Sequence, residues 1–322
     1  REFQKINANV GGIVNLVELI ISAIYGVVEG ITEWLPISST GHMLLLNEFL
    51  PLPVSVDFWD MFLVVIQLGA ILAVVVLFFY QLNPFSPSKG KAGRRRTWRM
   101  WGQIIVACLP AAIIGVPFND WMTDHLSSPF VIAAALIVYG VLFIIIENVR
   151  ESKVKRILEG GGARPQHMAA PEVEDTNNLS ELADSEAAVQ RVQDMPWKTA
   201  FGIGCFQVLS LVPGTSRSGS TIIGGLLLNC SRSVAAEFTF YLAVPVMIGA
   251  SGLKLFRFFS KGNVSTSEEA AILGVGCIVA FLVSLIAIRF LMNFVKKHDF
   301  KPFGWYRIIL GIVVIAYFAL TA

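Results

Sequence analysis

Charge is scarce in this sequence. Only 15% of its 322 residues are Asp, Glu, Lys or Arg, against about 25% in soluble domains. The net charge of +2 says little about partners, and no nucleic acid is expected among them. Histidine is rarer still, at four residues. The four cysteines, Cys108, Cys205, Cys230 and Cys277, all sit in apolar segments without metal-type spacing. They read as small core residues, which excludes a zinc module. The alternation that a membrane β-barrel needs is missing as well.

What is present is hydrocarbon. Apolar residues make up 55% of the chain and the mean hydropathy is +0.66. Six segments approach or exceed the roughly 20 apolar residues that cross a bilayer: Phe58–Tyr80, Ile104–Phe118, Pro129–Ile146, Val234–Phe256, Ala270–Phe290 and Ile308–Leu320. The expectation is an all-α polytopic membrane protein. Residues 1–12, "REFQKINANVGG", read as an expression remnant or a processed end, without the small-residue cleavage pattern of a signal peptide. Two polar stretches interrupt the rest. Asn83–Arg99 holds six basic residues and no acid. Residues 148–197 read as a polar cytoplasmic linker, partly disordered, with a short amphipathic helix around Leu179–Val192.

The linker separates two similar halves, residues 13–147 and 198–322. "IYGVVEGITEWLPISSTGH" starts at Ile24 and "GIGCFQVLSLVPGTSRSG" at Gly202. With one gap, Gly26 falls on Gly204, Glu29 on Gln207, Pro36 on Pro213, Ser39 on Ser216 and Thr40 on Arg217. Each motif is followed by a short amphipathic stretch and three apolar segments. Each half therefore reads as a re-entrant broken-helix hairpin plus three transmembrane helices. Three spans is an odd number, so the two repeats must have inverted topology, a plan that places a site near the midplane where the breaks meet. The positive-inside rule puts the basic loops in the cytoplasm. The first hairpin then enters from outside and the second from inside.

The hairpin tips carry polar chemistry where hydrocarbon belongs. Glu29 and Glu33 share one helix face, followed by Ser38, Ser39, Thr40 and His42. The second tip, "PGTSRSGST", brings Gly214, Thr215, Ser216, Arg217, Ser218 and Thr221. Intramembrane ionisable groups are costly and face a partner or a wet cavity. Arg217 suits phosphate, and hydroxyls with glycine-flanked amides suit an anion nest. Two carboxylates suit a hard divalent ion, Mg²⁺ or Ca²⁺, that bridges to phosphate. The set points to phosphoryl chemistry, with Ser39 or water as nucleophile and His42 or Glu33 as base. The plainer alternative for Ser38 and Thr40 is helix capping. Gln67 is expected to line the cavity or bond a neighbouring helix, and Glu237 to do likewise or to pair with Arg232. A transporter of anions or lipid phosphates would share this architecture.

The two motifs, with "VVIQLGAILAVV" and "FYLAVPVMIGA", resemble the bacterial undecaprenyl-pyrophosphate phosphatase family, the integral-membrane type linked to bacitracin resistance. The resemblance runs from about Ile13 to Leu320. It implies removal of the terminal phosphate of undecaprenyl pyrophosphate to regenerate the lipid carrier for cell-wall synthesis. It also implies a divalent cation at Glu29 and Glu33, residence in the cytoplasmic (inner) membrane, and a site open to the periplasmic or outer face. The family's functional residues map to Glu29, Glu33, Ser39, His42, Ser216, Arg217 and Thr221. Homodimer formation is left open.

Overall fold

A computed structural model describes residues 15–159 and 176–321; the terminal dozen residues and the middle of the linker lie outside them. Among the described residues the chain is helical, apart from one isolated bridge between Val189 and Cys230. The order is α1 (Leu16–Thr32), α2 (Ser39–Phe49), α3 (Val56–Leu77), α4 (Phe79–Leu82), α5 (Lys91–Leu126), α6 (Pro129–Glu159), α7 (Thr176–Ser185), α8 (Trp197–Val208), α9 (Arg217–Leu227), α10 (Arg232–Ser260), α11 (Ser267–Phe294) and α12 (Lys301–Thr321). Six of these, α3, α5, α6, α10, α11 and α12, are long and apolar enough to cross a membrane. They contain five of the six segments expected from hydropathy; the first, Phe58–Tyr80, runs past the end of α3 at Leu77 into α4.

The two halves pair in a reciprocal pattern. Helices α1, α2, α3, α5 and α6 correspond in order to α8, α9, α10, α11 and α12. α1 packs on α11, and its counterpart α8 packs on α5. α2 meets α12 while α9 meets α6, and the equivalent pairs α3–α10 and α6–α12 pack on each other. The closest approaches repeat as well. A Cβ on Gly26 would lie 2.6 Å from the Gly276 carbonyl, and one on Gly204 would lie 2.3 Å from the Ala107 carbonyl. Glycine at both places is what lets α1 and α8 seat against their partners.

Each half opens with a broken helix. α1 and α8 end in prolyl turns, and α2 and α9 restart at Ser38 and Ser216, two non-glycine residues with positive φ of 73° and 67°. These matched caps correct the alignment by one residue: Ser39 is the counterpart of Arg217, and Gly41 of Gly219. The second break has one more residue between proline and cap, Gly214 at φ 91°, and this restores the spacing that relates Gly26 to Gly204.

Two polar segments differ from expectation. The basic stretch is a loop only to Gly90; from Lys91 onward it forms the first turns of α5, which carries its helix beyond the apolar zone. The end of the linker is docked. Arg150 pairs with Asp184 at 3.2 Å, Asp184 accepts the Arg232 backbone N–H at 2.5 Å, and Val189 exchanges backbone bonds with Asn229 and Ser231. Arg232 pairs with fully buried Glu147 at 2.7 Å rather than with Glu237, and Glu237 accepts from the Tyr241 hydroxyl.

Candidate active site

The breaks at the ends of α1 and α8 meet inside the bundle and enclose a cavity of about 170 Å³. From the first half it takes Glu33, Ser39, Thr40 and Gln67, and from the second Gly214, Ser216 and Arg217. Its apolar wall is Val246, Met247 and Ala250 of α10. Gln67 also donates to the Leu63 carbonyl of its own helix at 3.5 Å.

One hydrogen-bonded chain joins the halves. Ser39 Oγ donates to Glu33 Oε2 at 2.9 Å, and Glu33 Oε1 accepts from Arg217 Nη2 at 3.1 Å. Arg217 Nη1 donates to the Thr239 carbonyl at 3.0 Å, and the guanidinium lies 5.9 Å from the Trp34 ring centre. Trp34 is itself fully buried, edge-on to Phe240. The cation is therefore fixed by an ion pair, a carbonyl and an aromatic face. Its Nε is buried with no hydrogen-bond partner, and each Nη keeps a second N–H beyond the bond already named.

The other expected residues divide by position. Glu29 lies one turn before Glu33, 1% exposed, and is outside the cavity wall. Its Oε1 has no partner, an expensive arrangement for a buried acceptor. Ser38 Oγ is buried and unpartnered too. Thr215 Oγ donates to the carbonyls of Leu209 and Val212, and so braces its own turn. Ser216 Oγ accepts the Gly219 N–H at 3.1 Å, as an N-cap should. Ser218 bonds Ser216 and the Leu35 carbonyl. Thr221 bonds the Arg217 carbonyl and accepts from Thr239 Oγ1 at 2.8 Å. Thr215, Ser218 and Thr221 thus stand behind the wall and shape it.

His42 also lies outside the wall. Its Nδ1 is 2.7 Å from the Ser38 carbonyl, which can only accept, so Nδ1 carries the proton. Nε2 then accepts from the Tyr306 hydroxyl at 2.8 Å, with the two rings parallel. Both nitrogens are engaged.

Sequence reasoning passed over Arg307. It is fully buried in α12 and donates to the carbonyls of Pro36, Gly214, Thr215 and Leu136 at 2.9–3.4 Å. One side chain thus ties both chain breaks together. A lone cation inside an apolar span was the available signal. Tyr306 and Thr239 carried none.

Comparison with known proteins gives a consistent result. The family model for "Bacitracin resistance protein BacA" matches residues 22–313. Curated proteins named undecaprenyl-diphosphatase are close relatives. The one from Limosilactobacillus fermentum is 51% identical over 307 residues, covering 95% of this chain and all of its own. Those from Streptococcus thermophilus and Enterococcus faecalis are each 51% identical, covering 94% and 91% of this chain and 94% and 95% of their own.

Proposed function

The chain belongs to the bacitracin resistance protein BacA family, and from that membership we propose that it hydrolyses the terminal phosphate of undecaprenyl pyrophosphate at the cavity between its two hairpins. It is a multi-pass membrane hydrolase. The products are undecaprenyl phosphate and inorganic phosphate, and the former returns to cell-wall synthesis. The observation that carries the site assignment is the Ser39–Glu33–Arg217 chain, which unites both motifs in one cavity.

The chemistry follows from that chain. Ser39 Oγ–H already points at a carboxylate, the relation of a nucleophile to its base. Glu33 takes the proton as Oγ attacks the terminal phosphorus. The bond to the bridging oxygen breaks, and the electron pair leaves with undecaprenyl phosphate. Water then attacks the phosphoserine, Glu33 returns its proton to the departing Ser39 Oγ, and inorganic phosphate leaves as dihydrogen phosphate with both hydrogens of the water. Arg217 offsets charge on the phosphoryl oxygens through the Nη–H groups that Glu33 and Thr239 leave unused. His42, held by Ser38 and Tyr306, orients the start of α2 on which Ser39 sits. Water in place of Ser39 as first nucleophile is the alternative, and the test below separates them.

We also propose a divalent cation, Mg²⁺ or Ca²⁺, held by Glu29 and Glu33. The support is the unpartnered, buried Glu29 Oε1 beside a second carboxylate; hard cations take such oxygens and need few protein ligands when phosphate supplies others. Bound there, the ion neutralises phosphate charge. The proposed setting is the cytoplasmic membrane, with the halves inverted and the site open to the outer face. Val246 is the midpoint of α10, 14 residues or about 21 Å from either end, which supports a cavity at mid-depth in the bundle.

Phosphate release from undecaprenyl pyrophosphate by purified protein tests this, with and without EDTA. Ser39→Ala, Glu33→Gln and Arg217→Ala should each lose about 100-fold or more in kcat. Wild type quenched in acid should carry one phosphate on Ser39. Full activity in Ser39→Ala would replace the serine by water, and full activity in Arg217→Ala would remove the assignment of this cavity.

A further inference from the structure

A second cavity, of about 350 Å³, lies between α4, the start of α5, the loop after α7, and α10. It is separate from the first. Tyr241 and Val246 mark the nearest points of the two walls on α10, five residues or about 7.5 Å apart. It lies nearer the Arg232 end of that helix.

Its chemistry is distinctive. The wall holds three cations, Lys89, Arg96 and Arg191, against one carboxylate, Glu237. Lys89 is locked in place: its Nζ donates to the carbonyls of Gln81 and Asn83 and to Thr97 Oγ1, and it lies 5.0 Å from the Tyr80 ring centre. The loop that carries Arg191 is pinned as well. Gln190 Nε2 donates to the carbonyls of Asp184, Ser185 and Ala187, and Gln103 Nε2 donates to the Met195 carbonyl at 2.5 Å. Arg96 and Arg191 are exposed on this fixed frame. Glu237 is already bonded by the Tyr241 hydroxyl. The remaining wall includes apolar surface from Tyr80, Met100 and Val192.

We propose that this cavity is a second phosphate-recognition site, taking the phosphate of an anionic lipid headgroup or free phosphate at the basic end of the bundle. Two guanidiniums and an ammonium outweigh one carboxylate by two charges, which matches a phosphomonoester dianion. Guanidinium forks recognise phosphate oxygens in pairs. Glu237 disfavours an anion deep in the cavity, so the phosphate lies toward Arg96 and Arg191. The volume is that of a small-molecule site and leaves room for a glycerol next to the apolar wall. Nothing in the reaction proposed above uses these residues.

Isothermal titration of the full chain in detergent decides it, with inorganic phosphate and dihexanoyl phosphatidic acid as probes. The titrations compare wild type with Arg96→Gln/Arg191→Gln, and repeat both in an Arg217→Ala background that disables the first cavity. The expected result is saturable binding that survives Arg217→Ala and weakens about tenfold or more in the double variant. The double variant should hydrolyse undecaprenyl pyrophosphate at the wild-type rate. Binding of phosphatidic acid alone identifies a headgroup site, and competition by inorganic phosphate identifies a free-phosphate site. Affinity unchanged by the double substitution, or no saturable binding of either probe, overturns the proposal. Should Arg217→Ala fail to fold, the pair with Arg217 intact still decides, because the two substituted side chains are exposed and outside the first cavity.

Discussion

At the scale of single residues, the two hairpin breaks store free energy in two serines. Ser38 and Ser216 adopt φ near +70°, a region that costs a side-chain-bearing residue about 1–3 kcal/mol. Ser216 recovers part of this through its bond to the Gly219 N–H. Ser38 recovers none: it makes no side-chain cap bond, and its hydroxyl is buried without a partner. Ser38→Gly removes both the strain and the orphan group. It should raise thermal stability, by about 1 kcal/mol or more, while lowering phosphatase activity because the start of α2 loosens under Ser39. Scanning fluorimetry beside phosphate release checks this. A destabilised Ser38→Gly would show that the hydroxyl is satisfied in the working protein. The same residues show how far sequence reached. Glu33, Ser39 and Arg217 were legible because charge and hydroxyls inside hydrocarbon demand partners. The engagement of Thr215, Ser218 and Thr221 with backbone carbonyls was not, since a hydroxyl in a phosphate nest and one bracing a turn look alike in sequence.

At the scale of elements, two hairpins must be held tip to tip with irregular backbone inside the bundle. Carbonyls freed by the breaks at Pro36 and Pro213 have to find donors there. Arg307 supplies them, bonding Pro36, Gly214 and Thr215 from one guanidinium. Replacing it by Met would orphan several buried carbonyls at about 1–3 kcal/mol each, so a loss of at least about 3 kcal/mol is expected. Arg307→Lys should rescue little, because an ammonium lacks the planar fork that reaches both breaks. Thermal unfolding of the two variants measures this, and a Lys variant as stable as wild type would mean that charge alone, not the fork, joins the hairpins. The hairpins themselves were readable from proline, glycine and short apolar lengths. The one-residue shift in their alignment was not, because only the matched positive φ of Ser38 and Ser216 fixes which residues begin α2 and α9. Nor was the ordered end of the linker, whose docking depends on Asp184 and Val189 meeting residues from other helices.

At the scale of the whole molecule, contacts sort the helix ends into two layers. One contains the start of α1, where the Asn15 N–H donates to Glu268, the Lys261–Asp57 pair, and the contact of Phe49 with Tyr317. The other contains the Arg232–Glu147 and Lys301–Glu151 pairs and the Gln103–Met195 bond, with α8 starting just beyond Met195. The first hairpin begins and ends in the former layer and the second in the latter, as two inverted halves require. The latter layer also holds the basic start of α5, so it should face the cytoplasm. Single cysteines in a cysteine-free background at Leu16, Ser127 and Ser267 should then react with an impermeant maleimide on intact cells. Cysteines at Ser88 and Lys198 should react only after permeabilisation. Leu16 and Lys198 carry the weight, being the entry points of the two hairpins. Labelling of both from one side would mean that the halves are parallel. Opposite labelling would place the Ser39 and Arg217 tips inside the bilayer from its two faces, which is how a lipid pyrophosphate can keep its tail in hydrocarbon while its phosphates reach a single polar cavity.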